Sequence, residues 1–335
     1  MLFLGTLLGF SVAAQAFNFA PANYSKDLYV TKAPVIVDPT QQYLNGSADG
    51  SYWSSSYVTS TAGDQYLVLS HVIAGMYYRA SIIDLTTYEY RYWVVPQDEI
   101  SSAASAPFQV AYDGYVMEAL SADNYSVMRT NPENGKNSFN LTWSSNRPIL
   151  YNMGLGYFKF GSTFAYEWSM PSGRTEGSLT LDGKEVTIDP DNSFTWYDRQ
   201  WQGQGAPANW TWFELHLPGD VKASIWAWNS TTPEQQMRAG TFQYPDGSTK
   251  ILTFTLTPHS RYWTSPNTNL TYPLNWDIAF DNGDKLQVSS IYYDQELAGK
   301  THANTAYEGF VLISGIFGGV DASSGFGLVE MVCFS

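Results

Sequence analysis

Asn192-Ser-Phe-Thr-Trp-Tyr-Asp198-Arg-Gln-Trp201-Gln-Gly-Gln-Gly205 sets an aspartate and an arginine among tryptophans, a tyrosine and glutamines, and closes on a glycine-rich turn. A charge this close to aromatic surface is what an apolar ligand pocket with a few convergent polar groups requires. It is equally what a buried, satisfied ion pair in a β-barrel presents. The flanking sequence reads as the scaffold that holds this stretch.

On both sides of it the chain is a series of short β-patterned runs. Upstream, Tyr66-Leu-Val-Leu-Ser-His71-Val-Ile is β-branched and aromatic, and Tyr88, Tyr90 and Tyr92 alternate with Glu89, Arg91 and Trp93, putting the tyrosines on one face of a strand. Turns are marked by Ala62-Gly63-Asp64, Asp113-Gly114, Pro132 to Gly135 and Asp182-Gly183, at a spacing of about ten residues. Downstream come Trp210 to Leu217, Lys222 to Trp228 and six further runs, with hairpin signals at Pro245-Asp-Gly247 and Asp281-Asn-Gly283. Helical periodicity is nearly absent, the segment from Ile100 to Ala106 holding at most one short turn. The pattern predicts an all-β chain of two consecutive antiparallel β-barrels or sandwiches that meet between Glu185 and Thr264; the boundary is set at an N-terminal unit over residues 17–190 and a C-terminal unit over 191–335. A ligand site is then expected in the mouth of the first barrel or where the two barrels meet.

Composition narrows the function. The 335 residues are 16 % aromatic and only 14 % charged, which is neither disordered nor coiled-coil. The net charge of −14 repels phosphates and anionic membrane surfaces, so nucleic acid is not an expected partner. Met1 to Ala16 is apolar and ends in Ala14-Gln15-Ala16, the small-x-small pattern of a signal peptide cleaved after Ala16. Apart from it, no run reaches the roughly 18 apolar residues of a membrane span. Sequons at Asn23, Asn45, Asn124, Asn140, Asn209, Asn229 and Asn269 agree with N-glycosylation and a secreted or vesicular destination. Cys333 is the only cysteine, which excludes an intramolecular disulfide.

Several chemistries are absent from the pattern. His71, His216, His259 and His302 lie far apart, so no metal site is expected, and neither Gly-x-Ser-x-Gly nor Gly-x-Gly-x-x-Gly occurs. No cofactor is expected. What remains is an aromatic-lined cavity with isolated carboxylates and amides, fit for an apolar ligand.

Asp198-Arg-Gln-Trp201 follows the glycine-bounded strand Gly177 to Gly183 and precedes the Trp-rich strands Trp210 to His216 and Ala223 to Trp228. With Tyr292-Tyr-Asp-Gln-Glu296, Tyr307-Glu308-Gly309 and Gly325-Phe-Gly-Leu-Val-Glu330, it resembles the carotenoid 1,2-hydratase-like family of tandem lipocalin-type barrels. The likeness covers roughly residues 50 to 333. The signal peptide and the sequons point to the secreted fungal branch, which contains kievitone hydratase and the hetero-Diels-Alderases of tropolonic sesquiterpenoid pathways. Where the family often has Asp-His-x-Trp this chain has Arg199, so a shuttle through that histidine is not carried over.

The resemblance implies a cofactor-independent [4+2] (hetero-)Diels-Alder pericyclase joining a quinone methide or polyketide to a terpenoid alkene. The alternatives are a hydratase or dehydratase on a prenylated alkene and a non-catalytic carrier of an apolar metabolite. Asp198, Glu308 and Glu167 are the candidate acids, and Arg199 and Gln200 the candidate donors to a substrate carbonyl. Trp53, Tyr92, Trp168, Trp196, Trp201, Trp226, Trp228 and His216 are the candidate walls for the apolar substrate. Each has a plain structural reading as well. Glu308 and Glu330 fit strand ends that accept backbone N–H bonds or pair with arginine, Trp226 and Trp228 share a face that fits a core, and His216 fits a satisfied core histidine.

Overall fold

The computed structural model describes residues 17–21, 35–44, 50–96, 107–231 and 234–333. The signal segment, Asn23, Asn45 and the short turn expected between Ile100 and Ala106 lie outside them. The described residues are nearly all strand, in two large antiparallel sheets and a small two-stranded one.

The N-terminal sheet has 14 strands. Its path runs from Tyr90–Pro96 through Tyr77–Asp84, Gln65–Ile73, Gly50–Thr59, Phe194–Gln202 and Thr163–Leu181 to Asn137–Ser145, and then on to Gln109–Tyr112. The strand Thr163–Leu181 is 19 residues long and changes register between Met170 and Gly173. That bulge bends it, so its first half pairs with Phe194–Gln202 and its second half with Asn137–Ser145. The sheet curls over a core of its own that includes Tyr52, Val68, Val72, Tyr78, Trp143, Trp168 and Tyr197, but its end strands do not pair with each other.

The C-terminal sheet does close. Lys285–Ser290, Asn275–Phe280, Thr249–Pro258, Glu234–Gln243, Val221–Thr231, Asn209–Leu217, Phe326–Cys333 and Ala306–Phe317 form a ring, because the last of them pairs back onto Lys285–Ser290. Closure leaves no open edge along these strands. The barrel interior is filled by Phe213, Ile225, Phe242, Trp276, Val311 and Val329.

The all-β reading in two units holds, with the C-terminal unit as the closed barrel and the N-terminal unit as a curled half-barrel sheet. The changeover between the sheets falls later than 190/191: the strand Phe194–Gln202 is hydrogen-bonded on both sides inside the N-terminal sheet, so the sheets change over between Gln202 and Asn209, inside the Glu185 to Thr264 stretch. Local pattern could not reveal this, since the partners of Phe194–Gln202 are Gly50–Thr59 and Thr163–Leu181, the first of them more than a hundred residues away.

The outer wall of the barrel packs against the N-terminal sheet through a third apolar cluster. It includes Trp53, Tyr57, Leu69, Phe160, Trp196, Trp212, Trp226, Phe310 and Leu328. Phe17 and Phe19 insert into it, and the backbone amide and carbonyl of Phe17 both bond the Gln65 side chain at 2.7 Å.

Candidate active site

Strand alternation decides which side chains reach the space between the sheets. Across the N-terminal sheet, Arg79, His71, Trp53, Asp198 and Ser169 are successive cross-strand partners, so one row of side chains projects from one face. Across the barrel wall, Glu308, Glu330, Trp212 and Trp226 form a second such row. The two rows face each other.

Between them lies a cavity of about 230 Å³, lined by Ser51, Trp53, His71, Arg79, Glu167, Asp198, Gln200, Trp210, Trp212, Trp226 and Glu330 among others. Trp53 meets Trp212 edge-on at 5.1 Å, and Trp212 and Trp226 are 6.0 Å apart, which gives the cavity an indole-rich wall.

The charged groups form a connected set. Arg79 Nη2 forms an ion pair with Glu308 Oε1 at 2.6 Å and donates to Glu330 Oε1 at 3.1 Å. The Trp53 indole N–H donates to Glu308 Oε2 at 2.8 Å, and the Trp210 indole to Glu330 Oε2 at 3.3 Å. The Trp196 indole donates to Asp198 Oδ1 at 2.8 Å. Ser51 Oγ and His71 Nε2 are hydrogen-bonded at 2.8 Å, while His71 Nδ1 faces Glu308 Oε1 at 3.9 Å. Glu167 Oε2 is buried without a hydrogen-bond partner.

Burial sets the protonation states. Desolvation pushes the Asp198 carboxyl up to about 7, against the hydrogen bonds from Ser169 and Trp196. It pushes Glu308 up to about 8, with Arg79 opposing and Glu330 assisting. Glu167 rises well above the usual carboxylate range through burial and the neighbouring Asp198, and burial raises Glu330 too. His71 is held well below its ordinary value by burial and then by Arg79. Glu167, Asp198, Glu308 and Glu330 thus share a single guanidinium among the described residues of the cavity. Four buried carboxylates against one cation is not a sustainable charge balance, so the site retains protons at neutral pH.

His71, Glu308 and Glu330 offer ligand atoms within 4.8 Å of one another, a grouping that the sequence spacing did not reveal. Arg79 Nη2 already touches both carboxylates there.

Of the residues singled out from the sequence, Trp53, Glu167, Asp198, Gln200 and Trp226 line the cavity. Glu308 touches it through Arg79 and Trp53, and Trp196 through Asp198. The others lie elsewhere. Arg199 points to the opposite face of its strand, where it donates to the carbonyls of Gln42, Leu44, Ser51 and Gln200 and stacks on Tyr52 and Trp201. Trp201 stacks on Tyr166 at 5.1 Å, and Trp168 is buried against Tyr125 and Tyr197. Tyr92 stacks on Tyr90 in the edge strand. Trp228 meets Phe160 edge-on and lines a separate cleft at the barrel end. His216 bonds Glu214 at 2.6 Å in a buried cluster with Ser55.

Sequence reading missed Ser51, Arg79, Trp210 and Trp212 as site residues, and read Glu330 as a strand end or an arginine partner, the second of which Arg79 supplies. Arg79 gave no signal, because Tyr77–Asp84 reads as an ordinary buried strand. Alternation with Trp210 and Glu214 along its strand could have flagged Trp212.

Among the sequons, Asn140, Asn209, Asn229 and Asn269 are exposed. Asn124 is buried, and its Nδ2, the atom a glycan occupies, donates to the Thr40 carbonyl.

The AttH-like family model matches residues 79–334. Kievitone hydratase of Fusarium solani subsp. phaseoli is 34 % identical over 323 residues, covering 94 % of this chain and 91 % of that protein. Dehydratase asqC of Emericella nidulans is 33 % identical over 337 residues, covering 96 % of each. The crystal structure of kievitone hydratase from Nectria haematococca superposes with a TM-score of 0.87 at 35 % identity, over 95 % of this chain and 98 % of that one.

Proposed function

We propose that this chain, which belongs to the AttH-like family, is a cofactor-independent hydro-lyase that adds water to, or removes it from, an apolar substrate carrying a prenyl-type alkene. The observation that carries the reading is Asp198: a carboxyl on the wall of an indole-lined cavity, raised to about 7 and therefore able to give and take a proton near neutral pH. Relatives over almost the whole chain are named hydratase and dehydratase, which supports the same chemistry.

In the hydration direction the Asp198 carboxyl protonates one alkene carbon. The cation that develops on the other carbon lies against the faces of Trp53, Trp212 and Trp226, whose negative quadrupoles stabilise it. Water then bonds to that carbon and loses a proton. Dehydration is the reverse. Apolar walls exclude bulk water and strengthen each electrostatic contact inside.

A (hetero-)Diels-Alder cycloaddition needs two reactants held at near-attack distance. Four buried carboxyls around the cavity favour proton chemistry on one substrate instead. Passage through the secretory pathway, with cleavage after Ala16 and glycans on Asn23, Asn45 and the four sequons exposed among the described residues, is part of the proposal. A mass shift on enzymatic deglycosylation of the secreted protein tests it.

For the reaction, incubation with prenylated phenols, kievitone included, in ¹⁸O-labelled water should give a product carrying one solvent oxygen. Asp198→Asn should lower turnover by about 10²–10⁴-fold, the range of lost general-acid catalysis. An isomer without solvent oxygen, or binding with no conversion, would count against the hydro-lyase reading.

A further inference from the structure

Resting on the hydro-lyase reading, we propose that Ser51 and His71 form the base that removes the proton from the attacking water, with Glu308 positioning the imidazole. The reasoning starts from His71, a buried histidine whose two ring nitrogens face different groups. Nε2 bonds Ser51 Oγ at 2.8 Å, and Ser51 lines the cavity. Nδ1 has no hydrogen-bond partner and faces Glu308 Oε1 at 3.9 Å. Oε1 faces the Arg79 guanidinium at 2.6 Å, so it is a lone-pair oxygen even when the carboxyl carries its proton on Oε2; a ring lone pair aimed at it is repelled and an N–H attracted, which puts the proton of the neutral ring on Nδ1. Nε2 is then the acceptor, and Ser51 is its donor.

Everything that surrounds the ring agrees. Arg79 is the cross-strand neighbour of His71 and contacts Glu308 and Glu330; burial first, and then its charge, keep the resting imidazole neutral, so Nε2 holds a lone pair for the Ser51 proton. Tyr77 meets the ring edge-on at 6.1 Å. Trp53 and Arg79 together hold Glu308 from two sides.

The placement matches the acid. Ser51 pairs with Gln200 and Trp53 with Asp198, so Ser51 and Asp198 are diagonal neighbours on one sheet face, with Cα atoms roughly 7–8 Å apart. One substrate double bond can therefore meet the acid at one carbon while its water meets Ser51 at the other. The step balances. Asp198 gives its proton to carbon, the water oxygen bonds to the cationic carbon, its proton passes to Ser51 Oγ as the Ser51 proton passes to His71 Nε2, and solvent later restores both groups.

The same connectivity occurs in acyl-transfer triads, where the serine is a nucleophile. Here Ser51 sits inside the ladder, paired with Ile73 on one side and Gln200 on the other, so its strand presents no free pair of N–H groups to an oxyanion. The geometry fits proton transfer.

The chain has four histidines, so ¹⁵N-histidine NMR resolves them. In the wild type, His71 should stay neutral with its proton on Nδ1 from about pH 6 to 8, because burial and then Arg79 hold it well below the ordinary histidine value of about 6.5. Ser51→Ala and His71→Gln should each lower kcat for water addition by about 10²-fold or more with KM little changed. The double variant should be no slower than the worse single one, as for groups that act as a unit. Asp198→Asn should keep the Nδ1 signature. A proton on Nε2, a wild-type kcat in Ser51→Ala, or a stable fluorophosphonate adduct on Ser51 would each overturn the relay. Absence of any water chemistry would sink the hydro-lyase reading alone, and the tautomer would then decide the relay by itself.

Discussion

Arg79 shows at the scale of one residue how the site is balanced. It is 1 % exposed and bridges two glutamates that stand directly opposite each other on neighbouring barrel strands. Like charges in that register repel, and the guanidinium turns the repulsion into a bridge. Replacing it leaves two buried carboxyls without their cation, which costs about 3–5 kcal/mol where they are ionised. They can escape that cost by taking up protons. Arg79→Met should therefore lower the urea midpoint strongly at pH 8 and less at pH 5. Equal losses at both pH values would show that the guanidinium acts through packing and not charge.

The strand Phe194–Gln202 makes the same point at the scale of an element. Its alternation sends Trp196, Asp198 and Gln200 to the cavity side and Tyr197, Arg199 and Trp201 to the other. Adjacent charges thus have unrelated duties. Asp198 faces the ligand space, while Arg199 ties residues 35–44 to the sheet through the Gln42 and Leu44 carbonyls. Arg199→Met should destabilise the fold by about 3 kcal/mol or more, since several charge-assisted hydrogen bonds are lost at once. It should leave kcat near that of the wild type. Thermal unfolding and turnover measured on the same sample check both, and a large loss of kcat in a well-folded variant would move Arg199 into the site. The turns were the most legible elements. Asp182-Gly183 is a tight hairpin with both residues at positive φ, 51° and 82°, as an Asp-Gly pair between two β-runs leads one to expect.

At the scale of the whole molecule, the charges at the junction of the two sheets give stability a characteristic pH dependence. Asp198 and Glu308 have folded values above their unfolded ones, so the folded state binds more protons and stability falls as pH rises through about 7 and 8. His71 and His216 have depressed folded values and act oppositely, but only below the unfolded histidine value of about 6.5. Between about pH 6.5 and 8.5 the buried carboxyls therefore outweigh the histidines, opposed only in part by Lys222, whose folded value burial lowers. Tm should drop by several degrees across that window in low salt, and the drop should shrink in Asp198→Asn. A flat or rising Tm would mean that the site does not retain its protons.

Composition, alternation and turn residues determined by themselves that this is an all-β chain in two units, and Trp53, Glu167, Asp198, Gln200 and Trp226 were identifiable as pocket residues. Those features are local: period two fixes which neighbours share a face, and Gly, Asp and Asn fix where the chain turns. Only the tertiary structure decided that Phe194–Gln202 belongs to the first sheet, that the second sheet alone closes, and that Arg79, His71, Glu308 and Glu330 meet. Their meeting depends on register between strands up to about 250 residues apart and on one sheet packing against the outside of the other. Alternation gives each charge a face, but it does not say which other face will cover it.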